Sequence, residues 1–309
     1  MVGGLFAALF ALALLSWTAV ADDTSPGGAD SGGTAGAVGT VPDDKPVQEP
    51  SGGSPGLGAS GRLGQAERPS GHAALVANPL YRTGRLSPLP CPVEEPDVHD
   101  AAQMEEFLHA VADCLDDAWR TQFARAGIPF EPPQRVFWSE PGTSPCRPYP
   151  SAAGAFYCRA SKSIYIGASD VVEKWNGTSR SVVYASLLAH EYSHHVQGES
   201  GLLDYYHGQR EQEPDALGRN AWTRRSELQA NCLAGAFLGA VRVTYPLGDD
   251  DLDSLLEDAA ATADRVDGPE SERTHGSEDN GVWWTRTGWE EQSPGACNTW
   301  DVGDEDLVQ

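Results

Sequence analysis

Apolar residues recur at helical spacing in several long stretches of this chain. Between Ala101 and Ala126 they predict a helix with Phe107, Val111, Cys114 and Leu115 on its apolar face. Over about 180 to 197, Val183, Leu187, His190 and His194 step by four, three and four, which is one stripe of a helix. Leu188, Tyr192 and Val196 form a neighbouring stripe, and Gly198 with Gly201 supplies a stop. Another helix is expected over about 216 to 241. Its Ala230, Ala234, Gly235 and Gly239 are small enough to let it press against the first. Asp251 to Val266 reads as a third, acidic helix. Arg135 to Trp138, Ala155 to Cys158 and Ser163 to Ile166 are short β-branched or aromatic runs bounded by Gly, Pro and Ser, and they predict a small antiparallel sheet. A sheet followed by a helical site is an α+β arrangement.

The pattern changes near the N-terminus. Met1 to Ala21 carries no charge, and Ala19-Val20-Ala21 has the small-x-small form of a cleavage site, so 1–21 is expected to be a signal peptide. An uncleaved N-terminal anchor is the alternative. No cysteine follows the apolar run, which argues against a lipoprotein. Residues 22–76 are rich in Gly, Ser, Pro, Ala and Asp and cannot bury enough apolar surface to offset ordering entropy. They read as a disordered tether, with a propeptide as the alternative. The folded domain is expected over 77–309. All six cysteines lie in it, and an even count in an exported chain argues for disulfides. The pairing expected is Cys91–Cys114, Cys146–Cys158 and Cys232–Cys297. No Cys-x-x-Cys spacing suggests a cysteine metal cluster.

The candidate chemistry lies on the helix over 180 to 197, at His190-Glu191-Tyr192-Ser193-His194. Histidines four apart on a helix share a face and can hold one metal ion, while Glu191 can take a proton from a metal-bound water. The competing reading is a core helix whose histidines are satisfied by hydrogen bonds. A hydrolytic zinc site holds three protein ligands and leaves a fourth position open. Glu227, early on the next long helix, is the candidate third ligand, and Asn231, one turn later, would orient a ligand. Against this stands the ordinary fate of helix glutamates, which is solvation. His195 is rotated about 100° from His194 and is assigned to the core or to support of the ligands. Tyr205, Tyr206 and His207 fall in a polar linker that could line a cleft, with loop packing the more ordinary reading. Trp283, Trp284 and Trp289 are expected to pack the C-terminal block onto the core.

His190 to Gln197 and Glu227 to Cys232 resemble the paired signatures of the bacterial neutral zinc metallopeptidase family, whose sites are gluzincin-like. Thr274-His275-Gly276-Ser277, Trp283-Trp284 and Ala296 to Trp300 resemble its C-terminal end. The blocks span roughly residues 77 to 302. The resemblance implies one Zn2+ per chain held by His190, His194 and Glu227, with Glu191 as base for water attack on a peptide bond. Many gluzincin-like sites use a downstream histidine or tyrosine to stabilise the oxyanion, which makes His275 a candidate for that role; the competing reading is a structural histidine fixing the loop around Gly276. By analogy with zincins, the strand over Ser163 to Gly167 would pair with an extended substrate. One position departs: the family usually has aspartate where this chain has Asn231, so the support to the ligand histidine carries no negative charge.

Net charge is −24, which disfavours nucleic acid and anionic membrane surfaces as partners. Membrane contact is expected only through an uncleaved N-terminal segment. The function expected is an exported, extracytoplasmic zinc peptidase acting on peptides or proteins. Two rivals stand beside it: a non-catalytic zinc-binding domain that docks a partner at the cell surface, and a hydrolase of a non-peptide bond such as a cell-wall amide.

Overall fold

The computed structural model describes residues 68–150 and 154–309. The expected signal peptide and most of the expected tether lie outside the described residues. The folded body starts earlier than composition suggests. Arg68 ion-pairs with the buried Glu199 at 2.9 Å. The short α1 (His72–Val76) buries Leu75 against Leu202, Leu203 and Tyr206.

α2 (Ala101–Ala126) has the expected bounds and both its ends have physical causes. Asp100 accepts from the backbone N–H groups of Ala102 and Gln103, and Gly127 closes the helix in the left-handed region at φ 73°. Its apolar face continues beyond Leu115 into Trp119 and Phe123, both fully buried. A disulfide from Cys114 to Cys91 ties the preceding segment down.

The strands are β1 (Gln134–Trp138), β2 (Gly142–Thr143), β3 (Pro148–Tyr149), β4 (Ala155–Cys158) and β5 (Ser163–Gly167). The main sheet runs in the order β1-β5-β4 and is mixed rather than antiparallel. β4 and β5 form a hairpin, but β1 pairs with β5 in parallel, from Gln134 opposite Ser163 to Trp138 opposite Gly167. The intervening β2–β3 hairpin and β4 bring the chain back in the direction in which it left. β5 therefore has no free edge, and every residue in it is buried. Ser163 to Gly167 cannot be the strand that pairs with a substrate. The free edges belong to β1 and β4, and β4 packs against the helix that carries the histidines.

α3 (Ala168–Lys174) leaves the end of β5 and leads to α4 (Ser181–Glu199), which packs against α2 and the sheet. The segment read as a polar linker is a helix, α5 (Leu202–Gln212). It starts at Gly201, held at φ 83° where an added Cβ would strike the Pro69 carbonyl. α6 (Ala216–Val241) packs on α4 and, most extensively, on α8 (Glu278–Glu291). The acidic α7 (Asp249–Ala261) is shorter than expected and fits between α4 and α8. Gly235 and Gly239 of α6 face α8, not α4: added Cβ atoms on them would meet the Thr285 and Trp289 carbonyls. Gly288 answers from α8, lying directly on the Cys232 carbonyl. These helices touch backbone to backbone, and the Cys232–Cys297 disulfide closes the same junction. Trp284 and Trp289 are buried as expected, whereas Trp283 is 42% exposed. Among the described residues no helix is long and apolar enough to cross a membrane.

Cys232 and Cys297 are 65 residues apart in sequence. In the chain-entropy model, replacing both with alanine costs about 4 kcal/mol. Denaturant unfolding under non-reducing conditions should show that loss, and a change below about 1 kcal/mol would mean that the α6–α8 packing holds the junction unaided.

Candidate metal centre

His190, His194 and Glu227 converge, each offering one ligand atom within 4.8 Å of the others. Glu227 Oε2 lies 3.1 Å from His190 Nε2 and 3.4 Å from His194 Nε2. Two ligand atoms each about 2.0–2.1 Å from one tetrahedral ion would sit about 3.3 Å apart. The spacing fits zinc.

The hydrogen bonds behind the histidines decide which atoms face the centre. His190 Nδ1 is 2.8 Å from Asn231 Oδ1, and His194 Nδ1 is 2.9 Å from Gln197 Oε1. Gln197 is fixed from its other side, since its Nε2 donates to the Ser226 carbonyl and to Gln229 Oε1 at 2.9 and 3.0 Å. Its oxygen must therefore accept from His194 Nδ1–H. With Asn231 accepting in the same way, both rings carry the proton on Nδ1 and turn an Nε2 lone pair inward. Two lone pairs and a carboxylate oxygen then face one point with no donor among them. Such a cluster requires a cation. Without a metal a proton serves: burial alone would push His194 down, but the Glu227 charge and hydrogen bond, with Glu191 and Gln197, hold it up at about 9. Glu227 is half-buried, which opposes its charge, yet His194 and His190 hold its carboxyl well below the usual range.

Glu191 sits on α4 beside this cluster, 9% exposed, and its carboxylate makes no hydrogen bond among the described residues. Lys174, at the end of α3, is within electrostatic reach of it. Burial lowers the Lys174 ammonium, and Asp258 and Glu191 oppose that only in part. Asp258, raised by burial, takes a 2.6 Å hydrogen bond from Trp175 Nε1 and feels both Lys174 and His190.

His275, in the segment before α8, is within electrostatic reach of Glu227 and His194. Asp264 accepts backbone N–H bonds from Thr274, His275 and Gly276 at 2.7–2.8 Å, which shapes the loop. Gly276 turns it at φ 85°, pressed on Leu228. Burial works against the His275 imidazolium, but Asp264 and Glu227 outweigh it and the pKa is raised. Tyr206 on α5 is within electrostatic reach of Glu227, and His207 of His194. His195 points away, with Nε2 2.7 Å from the Glu131 carbonyl and Nδ1 3.2 Å from the Tyr157 hydroxyl. It is a buried, neutral core histidine, pushed down to about 4 chiefly by burial.

A family model described as "Putative neutral zinc metallopeptidase" matches residues 93–300. The chain belongs to this family. It is 28% identical over 213 residues to the uncharacterized protein YpfJ of Escherichia coli strain K12, covering 66% of this chain and 73% of that one. It is 32% identical over 193 residues to the uncharacterized protein Rv2575 of Mycobacterium tuberculosis, and equally to Mb2605 of Mycobacterium bovis, covering 56% of this chain and 64% of each. No solved structure matches. The matched family region contains all three candidate ligands, Glu191 and His275.

Sequence reasoning missed Gln197 as the partner of His194, although its place one turn beyond that histidine was a usable signal. Lys174, Asp258 and Asp264 gave no local signal, because each comes to the site from a separate element. Two outcomes follow. Gln197→Ala should weaken zinc binding by about 10- to 100-fold in a chelator competition, and an unchanged affinity would show that His194 needs no such support. Asp264→Ala, which leaves three loop N–H groups without their carboxylate, should cost about 2–3 kcal/mol in denaturant unfolding, and a loss within about 0.5 kcal/mol would contradict its structural role.

Proposed function

We propose that this protein is a zinc-dependent peptidase acting outside the cytoplasm. One observation carries the reading: the Glu191 carboxylate, without a hydrogen bond among the described residues, stands beside a three-acceptor cluster that no fourth His, Cys, Asp or Glu among them joins. A purely structural zinc site is closed by four protein ligands, while a hydrolytic one keeps a position open and a base nearby. The family description supports zinc and peptidase chemistry, and the three disulfides support an oxidising compartment.

Zinc held by His190, His194 and Glu227 would supply a Lewis acid that polarises a carbonyl and lowers the pKa of water. Glu191 takes a proton from the attacking water onto its carboxylate while the new C–O bond forms. It then delivers that proton to the amide nitrogen as the C–N bond breaks, leaving a carboxylic acid and an amine. His275, with its pKa raised by Asp264 and Glu227, would donate a hydrogen bond to the carbonyl oxygen as negative charge develops there. Asn231 orients His190 through an amide oxygen and so adds no charge.

Glu191→Gln removes the base and keeps the shape. It should lower kcat by about 10²- to 10⁴-fold on a peptide library while the zinc content stays that of the wild type. Full activity in the zinc-loaded variant would remove Glu191 from the mechanism.

A further inference from the structure

On α5, Tyr206 and Arg210 lie one turn apart and bond the same hydroxyl on α6. Tyr206 Oη and Arg210 Nε donate to Thr223 Oγ1 at 3.3 and 3.0 Å. Thr223 is one turn before Glu227, on the same face of α6. With its Nε on the Thr223 hydroxyl, the Arg210 guanidinium lies about one helical turn along α6 from the Glu227 position, and the Tyr206 hydroxyl feels the charges of both.

Arg210 is half-buried, and its two terminal nitrogens make no hydrogen bond or ion pair among the described residues. In a chain with 45 acidic against 21 basic residues, that charge is conspicuous. Other cations differ: Arg159 is paired with Asp204 at 2.7 Å, and Lys174 is within electrostatic reach of Asp258 and Glu191. A guanidinium pinned through Nε presents its terminal N–H groups as a planar fork, the geometry that takes a carboxylate in two parallel bonds. His207 stands next to it, packed edge-on against the Tyr206 ring at 4.7 Å and without a hydrogen-bond partner among the described residues. Burial, with Arg159 and Arg210, pushes His207 down to about 4, so it offers a neutral N–H beside the fork.

We propose that Arg210, flanked by His207, anchors a carboxylate of the substrate close to the bond that is cut. The inference rests on the peptidase reading above. One helical turn separates Thr223 from Glu227, about 5.4 Å, and an extended peptide advances about 3.5 Å per residue. The carboxylate would therefore lie within a few residues of the scissile bond, as a chain terminus or as an acidic side chain.

The test reads binding without turnover, on the full zinc-loaded chain carrying Glu191→Gln. Three peptides are compared by calorimetry: Ala-Ala-Phe-Ala as the free acid, the same peptide as its amide, and Ala-Ala-Phe-Glu amide. A carboxylate-bearing peptide should bind about 10- to 100-fold more tightly than the plain amide. Preference for the free acid identifies the chain terminus, and preference for the glutamyl amide identifies a side chain. Arg210→Gln should abolish the preference and Arg210→Lys should keep only part of it, with zinc content unchanged in both. Equal binding of all three peptides, or a preference that survives Arg210→Gln, overturns the inference. Failure of the peptidase reading looks different: the wild type would turn over none of the peptides while the carboxylate preference in binding persisted.

Discussion

The structure depends on an arrangement that is unfavourable by itself. Two imidazole lone pairs and a carboxylate oxygen point at one spot, 3.1 and 3.4 Å across. Left alone, three acceptors so close would repel, and the chain would relax by turning a ring or withdrawing Glu227. The amide oxygens of Asn231 and Gln197 prevent the rings from turning, because each engages the Nδ1–H of one histidine. The cluster is thereby committed to a cation.

That commitment is maintained by packing some distance away. Gln197 is locked by Gln229, and Gln229 in turn donates to the Tyr81 hydroxyl and to the Cys297 carbonyl. The orientation of the candidate ligand His194 is thus continued through amides into the C-terminal block. The same block is held to α6 by the Cys232–Cys297 disulfide and by glycines that let α6 and α8 meet backbone to backbone. A long helix carrying Glu227 could otherwise slide by a fraction of a turn, and a displacement of about 1 Å is enough to spoil a site of this kind. The two flanking histidines receive opposite treatment from their surroundings. Asp264 and Glu227 favour charge on His275, while burial and two arginines deny it to His207.

Much of this was legible in the sequence because it is local. The spacing of His190 and His194 on a helix, the place of Glu227 on the next long helix and the bounds of α2 follow from periodicity and end signals alone. The cysteine pairing came out as expected, although the count could not dictate it. What escaped was set by long-range pairing. β5 reads as an edge strand because nothing in Ser163 to Gly167 announces that β1 will pair with it in parallel. Gly235 and Gly239 signal close approach without naming the partner, which proved to be α8. α5 was hidden by its polar outer face, since its packing rests on Leu202, Leu203 and Tyr206 meeting Leu75 from a segment whose composition resembles a tether. Arg210 and Lys174 carry no local signal, since each is related to the candidate site only through the fold.

The most direct measurement is zinc content by metal analysis on the full chain, comparing wild type with Glu227→Ala. The three-acceptor cluster should give one zinc per chain in the wild type and its loss in the variant. Folded, disulfide-intact wild type that takes up no zinc, or a Glu227→Ala chain that keeps it, would contradict the account at its base.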